Sequence, residues 1–355
     1  MTPVAGHWPH RHLLDVAELR ADELERIMRL AGEMAAALRA RTRRKDLAGR
    51  RLVTVFSEPS TRTRLSFEMA ARALGAEVSH LDPPVSSIVK GESLVDTVRT
   101  LAALGADLLV IRHRRGGAPH LAARHFPGHV VNAGDGCHAH PTQALLDLYT
   151  LRQLLPRGCR GARVTILGDI LHSRVARSNV WSLTAAGARV TLCGPAEWLP
   201  DVDAWLGPHA SGRPIRVTTD VATALAGADA IMTLRIQRER ISQAGPSRAR
   251  PSQPGPSQTL SSRAGPSSPE YALRYGLTAE RLAMARPDVV VMHPGPVNKG
   301  VEITRQVATG PHSVILDQVA NGVPVRMAVL ALLAGSDGAS EASLAIAQPP
   351  ATIPG

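Results

Sequence analysis

Short unbroken apolar runs alternate with stretches whose apolar residues recur every three or four positions, and this alternation fills most of the 355 residues. Leu24, Ile27, Met28, Ala31, Met34 and Leu38 share one face of a helix predicted over 22–40. Leu52-Val53-Thr54-Val55-Phe56 reads as a short buried strand, bounded by Ser57-Glu58-Pro59. From Leu65 the apolar positions Leu65, Met69, Ala73 and Leu74 return to helical spacing. Asp107 to Ile111 is a second strand, ending at Arg112-His113, and Gln143 to Leu148 opens a helix after the turn Gly134-Asp135-Gly136. In the second half the strand candidates are 163–167, 189–192, 228–234 and 289–292, and 315–333 is apolar enough for a last core helix. Continuous apolar strands alternating with helices predict mainly parallel sheets covered on both faces, an α/β fold. The length suits two domains.

Ligands of such sheets bind beyond the carboxyl ends of the strands. The chemistry-bearing residues fall there repeatedly: Ser60 to Arg64, Arg112, Asp169 to Arg174, Arg235 and His293. Ser60-Thr61-Arg62-Thr63-Arg64 stands out among them. It occupies a strand-to-helix turn, where free N–H groups and the helix dipole favour an anion. Its arginines add planar donor forks that match phosphate oxygens. A Ser/Thr helix cap with solvated arginines is the plainer reading, and two hydroxyl pairs interleaved with arginine favour phosphate over it. Arg174 and Arg235, with Gln237 two residues on, suit carboxylates; two such forks at strand ends point to a dianionic small molecule.

Charge and composition narrow the partners. Lys and Arg number 41 against 30 Asp and Glu, a formal net charge of +11. The densest basic run, Arg39 to Arg51, carries seven basic residues in thirteen and no aromatic residue for base stacking. It reads as a solvated face, and nucleic acid is not an expected partner. No apolar stretch approaches the 18 residues of a membrane span and no signal core opens the chain, so no membrane partner and a cytoplasmic location are expected. Cys137, Cys159 and Cys193 are too scattered for a disulfide framework. Cys137-His138-Ala139-His140 lacks a second cluster at zinc-ligand spacing, so no metal is expected. His140 reads better as a neutral hydrogen-bond donor at a helix start, with Gln143 one turn later, or as a satisfied core histidine. Gly168-Asp169-Ile170 after a strand lacks the glycine pattern of a dinucleotide site, and no cofactor is expected.

Residues 242–268 are rich in Ser, Pro, Gly, Gln and Arg and carry a ten-residue repeat. Such composition buries too little to offset its ordering entropy, so a disordered surface loop is expected, and likewise a flexible tail over 336–355.

Ser-Thr-Arg-Thr-Arg at 60–64, Lys90-Gly91-Glu92-Ser93, Arg112-His113, His140-Pro141-Thr142-Gln143, Arg235-Ile236-Gln237 and His293-Pro294-Gly295-Pro296 occur in that order. Together they closely resemble the catalytic chains of the aspartate carbamoyltransferase family, over about residues 12 to 335 outside the low-complexity segment. The first motif is shared with ornithine carbamoyltransferases, which carry His-Cys-Leu-Pro where this chain has His293 to Pro296. The resemblance implies transfer of the carbamoyl group of carbamoyl phosphate to L-aspartate, an early step of pyrimidine synthesis; the alternative is a transcarbamoylase acting on ornithine or another amino acid.

By residue, the resemblance implies that Ser60, Thr61, Arg62 and Thr63 hold the phosphate. Arg112, His140 and Thr63 donate to the carbonyl oxygen, Gln143 fixes the carbamoyl NH₂, and backbone at Gly295 and Pro296 lines the carbamoyl group. Arg174, Arg235 and Gln237 grip the aspartate carboxylates. Lys90, with Ser86 four residues earlier, resembles the loop that the family lends to a neighbouring subunit. The implied organisation is a carbamoyl-phosphate-binding domain over 1–155, with a C-terminal helix at 312–335 packing back on it, and an aspartate-binding domain over 156–311. The site would lie between domains and at the subunit interface of a homotrimer. A larger complex with a regulatory or dihydroorotase-like chain stays open. Leu171 and His172 stand where some relatives have Lys-Tyr, so their regulation is not carried over.

Overall fold

The computed structural model describes residues 8–81, 93–207, 212–237 and 265–336. Lys90 and Ser86, residues 242–264 and the tail beyond 336 lie outside them. The chain divides into two compact units, the first drawn from residues within 1–15, 25–136 and 322–355, the second from 16–24 and 137–321.

In chain order the first half gives α1 (Ala21–Arg39), β1 (Arg51–Phe56), α2 (Thr61–Ala73), β2 (Glu77–Leu81), α3 (Leu94–Ala103), β3 (Leu108–His113), α4 (Ala118–His125) and β4 (His129–Asp135). Their strands form one parallel sheet in the order β2-β1-β3-β4. Val53 and Val55 of β1, Leu109 and Ile111 of β3, and Val130 of β4 pack with Val98, Leu101, Ala122 and Phe126 from the helices into one core.

Two of these strands escape a reading by apolar runs. Every residue of β4 is buried, including the polar Asn132 and Asp135, because each finds a partner inside. Asn132 Nδ2 donates to Leu14 O at 2.9 Å and to Asp135 Oδ1 at 2.8 Å, and Asp135 Oδ2 accepts from Gly117 N–H at 2.7 Å. Gly134 and Asp135, expected in a turn, therefore end a strand. β2 is an edge strand with no fully buried side chain, and Thr54 Oγ1 on β1 hydrogen-bonds His80 Nδ1 on it at 2.9 Å.

On α2 the helical period is as expected but the buried face differs. Thr63, Phe67, Ala70, Ala71 and Leu74 are buried, whereas Leu65 and Met69 are 48% and 59% exposed. In the basic run, Arg44 pairs with Asp46 at 2.7 Å and Arg50 with Asp107 at 3.6 Å, as a solvated face does.

The second half gives α5 (Pro141–Leu154), β5 (Pro156–Cys159), β6 (Arg163–Leu167), α6 (Arg174–Ala185), β7 (Arg189–Cys193), α7 (Val202–Leu206), β8 (Ile215–Thr218), α8 (Val221–Leu225), β9 (Ala230–Thr233), α9 (Ser268–Tyr275), α10 (Ala279–Leu282), β10 (Val290–Met292), α11 (Arg305–Ala308) and α12 (Ile315–Ala334). Five strands form a second parallel sheet in the order β10-β9-β6-β7-β8, and β5 belongs to neither sheet. Leu167, Trp198, Ile231, Tyr271, Tyr275, Leu277 and Val291 pack into its core. α5 belongs with this unit although the expected domain boundary falls after it, at 155; its Asp147 is tied to α6 and α12 by side-chain hydrogen bonds.

The far edge of the expected disordered loop is ordered. Gly265 packs so tightly on Trp198 that a Cβ there would overlap the ring, and Ser267 and Glu270 form a reciprocal capping box opening α9. Residues 265–268 thus belong to the fold. Helix α12 is long and apolar enough to span a membrane by length and composition, but 56% of the qualifying stretch is buried within the protein. Its Arg326 lies over the Phe67 ring of α2, 5.0 Å from the centroid.

Candidate active site

Each sheet has one place where consecutive connections leave in opposite directions. In the first it lies between β1, which continues to β2, and β3, which continues to β4. In the second it lies between β6, which continues to β7, and β9, which continues to β10. The two crossovers there part, leaving a crevice beyond the carboxyl ends of the strands. The sequence-predicted residues that the structure describes collect at these two crevices or on segments beside them.

At the first, β1 runs through Phe56 into Ser57-Glu58-Pro59 and on to α2. Ser60 is the N-cap of α2 but its side chain does not cap the helix, and Thr61, Arg62 and Thr63 form the first turn. The hydroxyl is therefore not spent on the helix's own N–H groups, which suits an external anion. Thr63 is buried, Thr61 and Arg62 are exposed and Ser60 lies between. Arg112 stands directly across from Phe56 in the β1–β3 ladder. Its Nε lies 3.4 Å from Glu58 Oε2 and its Nη1 3.4 Å from Ala133 O, so carboxylate and carbonyl hold the guanidinium at the sheet's carboxyl edge. Arg112 and the Ser60–Thr63 turn are thus brought together.

At the second crevice, β6 ends into Gly168-Asp169, β9 into Leu234-Arg235-Ile236-Gln237, and β10 into His293-Pro294-Gly295-Pro296. Gly168 has φ +140°, and a Cβ on it would come within 3.0 Å of Leu234 Cβ, so only glycine lets the two exits run this close. Arg174 is the first residue of α6, 3% exposed, behind Ser173, whose hydroxyl accepts from Ala176 N–H. Arg235 is half-buried, and its carbonyl accepts from Gln237 Nε2 at 3.2 Å. Gly295 N–H donates to His293 Nδ1 at 2.8 Å, and His293 Nε2 meets Glu302 Oε1 at 3.2 Å.

His140 is the N-cap of α5, 4% exposed, and its main-chain N–H donates to Ser178 Oγ at 2.9 Å. Gln143 follows within the first turn, buried, with Nε2 donating to Asp147 Oδ1 at 2.9 Å.

Of the residues that hold these groups, the sequence placed Asp169 at a strand end and left the others unread. Asp169 is fully buried; it accepts from Gln237 N–H at 3.2 Å through Oδ2 and meets His172 Nδ1 at 2.8 Å through Oδ1. Ser178, Asp147, Gln318 and Glu302 act likewise on their neighbours. A polar residue inside an otherwise apolar helix or just after a strand is the only trace they leave in the sequence.

The thiols offer no nucleophile among buried groups. Cys159 and Cys193 are buried and outside any disulfide, and burial pushes the Cys193 thiol up to about 12, far from a thiolate at neutral pH. The arrangement suits binding of anions and stabilisation of developing negative charge by fixed donors.

Known proteins carry the same organisation. The family "Aspartate/ornithine carbamoyltransferase, carbamoyl-P binding domain" matches residues 11–153, and its companion "Asp/Orn binding domain" matches 160–333. The aspartate carbamoyltransferase catalytic subunit of Roseiflexus sp. (strain RS-1) is 50% identical over 326 residues, covering 92% of this chain and 95% of the relative. That of Parafrankia sp. (strain EAN1pec) is 48% identical, covering 94% and 99%. Among solved structures, aspartate transcarbamoylase of Trypanosoma cruzi with carbamoyl aspartate and phosphate is 26% identical with a TM-score of 0.75, covering 90% of this chain and 95% of that one. Ornithine carbamoyltransferase of Pyrococcus furiosus is 27% identical with a TM-score of 0.78, covering 93% and 99%. Backbone likeness does not separate the two activities, whereas sequence identity near one half runs to the aspartate type. With both domains matched and that identity along nearly its whole length, this chain belongs to the aspartate/ornithine carbamoyltransferase family, on its aspartate side.

Proposed function

We propose that the protein transfers the carbamoyl group of carbamoyl phosphate to the amine of L-aspartate, giving N-carbamoyl-L-aspartate and phosphate. A C–N bond forms to the carbonyl carbon as its bond to the phosphate oxygen breaks. The observation that carries the aspartate specificity is the pair Arg174 and Arg235 beside the second crevice, two cationic forks suited to two carboxylates.

Ser60, Thr61, Arg62 and Thr63 bind the phosphate, using helix N–H groups, hydroxyls and one guanidinium. Arg112, His140 and Thr63 stabilise the oxyanion that develops on the carbonyl. Gln143 and the backbone of Gly295 and Pro296 hold the carbamoyl group, and Gln237 assists the arginines on aspartate. Positioning two reactants and stabilising an oxyanion supply the kind of acceleration this chemistry needs.

Phosphate release from carbamoyl phosphate, measured with a panel of amino acids, tests the specificity. Aspartate supports release; ornithine, whose ammonium faces Arg174 and Arg235, does not. Faster release with ornithine contradicts the reading.

The working assembly under this reading is a homotrimer in which Lys90 serves a neighbouring chain's site. An inactive Lys90→Ala chain reshuffled with an inactive Arg112→Ala chain then regains partial activity, because some hybrid sites receive both wild-type residues. Verified hybrids without activity would mean that each site is built from one chain.

A further inference from the structure

Asp147 receives three amide groups: Gln143 Nε2 at 2.9 Å and Gln318 Nε2 at 2.7 Å on Oδ1, and Asn179 Nδ2 at 2.8 Å on Oδ2. Asp147 and Asn179 have no exposed surface, and Gln318 and Gln143 are 2% and 8% exposed. A Gln–Asp pair four residues apart on a solvated helix merely adds a few tenths of a kcal/mol of helix stability. Here the pair is buried and joined to two other elements.

Main chain fixes the direction of the Gln318 and Asn179 bonds. His293 N–H, which can only donate, points at Gln318 Oε1 at 2.9 Å. The other end of that amide, facing Asp147, is therefore its NH₂. Asn179 Nδ2 also lies 3.1 Å from Val175 O, which can only accept, so Asn179 too presents NH₂ to Asp147. Both carboxylate oxygens thus accept, and the Gln143 end that meets Oδ1 must be a donor. Gln143 Oε1 is the end left over, with no hydrogen bond among the described residues.

From this polarity we propose that Asp147 is a positioning residue for carbamoyl phosphate recognition: it locks the Gln143 amide with its carbonyl facing the ligand, so that the site selects an N–H-bearing carbamoyl group over a methyl-bearing acyl group. This rests on the reading that Gln143 meets the carbamoyl NH₂. An amide free to turn would present NH₂ half the time and repel the carbamoyl NH₂. Asparagine at 147 places an NH₂ against either Gln318 and Gln143 or Asn179, and the lock fails.

The test is the affinity ratio of carbamoyl phosphate to acetyl phosphate, which differ by NH₂ against CH₃, with inorganic phosphate as a third probe. Gln143→Ala and Asp147→Asn each lower the ratio, on the order of tenfold for one hydrogen bond to a buried partner. Phosphate affinity stays within about twofold, which a general loss of structure would not allow. In the Gln143→Ala background, Asp147→Asn changes the ratio no further. An unchanged ratio in Gln143→Ala overturns the reading of Gln143 and with it the proposal. A lowered ratio in Gln143→Ala with an unchanged one in Asp147→Asn overturns the proposal alone. Should Asp147→Asn fail to fold, Asp147→Ala, which removes the acceptor of Gln143 Nε2, decides: a several-fold fall in the ratio supports the lock and no change overturns it.

Discussion

Arg112→Ala slows turnover by about 10²–10³-fold, the loss expected when one preorganised oxyanion donor is removed. The size follows from how the side chain is held. Arg112 belongs to an interior strand of the first sheet, paired with Phe56 on the β1 side, while on the β4 side the register shifts between Ile111 and His113, and its carbonyl accepts from Ser57 N–H. Glu58 Oε2 and Ala133 O, each 3.4 Å from the guanidinium, orient a side chain that is only 14% exposed. A charge aimed before the reaction starts needs no reorganisation as the oxyanion forms. Alanine keeps the strand and removes the charge, so thermal unfolding shifts little while kcat falls. A folded Arg112→Ala enzyme with wild-type kcat would take Arg112 out of the chemistry.

His140→Ala lowers kcat by about 100-fold and leaves the KM for aspartate nearly unchanged. The main-chain N–H of His140, not its ring, holds Ser178 Oγ, so the start of α5 survives the substitution. The ring sits one turn from Gln143 on a helix whose first turn is buried throughout, a rigid mount for the donor role proposed for it. The loss therefore appears in turnover rather than in aspartate binding. Steady-state kinetics in both substrates separates the two, and an unchanged turnover number would remove the assigned role.

Much of the scaffold is legible in the sequence where local pattern and tertiary role agree. β1, β3, β6 and β9 are short apolar runs because both faces of a parallel sheet are covered. β4 is hidden by Asn132, Asp135 and Gly134, which are polar or small yet buried, their needs met by Leu14 O, Gly117 N–H and one another. β2 and β8 are hidden for the opposite reason: as edge strands they bury little and show no apolar run. On α2, spacing alone cannot say which of two apolar stripes turns inward; Phe67 does, and Leu65 and Met69 do not.

The candidate site shows the same split. Arg112, Arg174 and Arg235 could be read because cations at strand ends have few structural reasons to be there. Asp169 could be placed at a strand end but its partner, Gln237 N–H, could not, and Asp147 could not be read at all, because a lone carboxylate in an apolar helix becomes meaningful only when amides from distant segments are brought beside it.

The chemistry assigned here is tested most directly by isotope transfer. Enzyme is incubated with ¹³C-carbamoyl phosphate and equal amounts of ¹⁵N-aspartate and ¹⁵N-ornithine, and the products are read by NMR. The account predicts a ¹³C–¹⁵N coupled carbamoyl signal in N-carbamoyl-L-aspartate together with free phosphate. A coupled signal in the carbamoylated ornithine instead, or in neither amino acid, would contradict it.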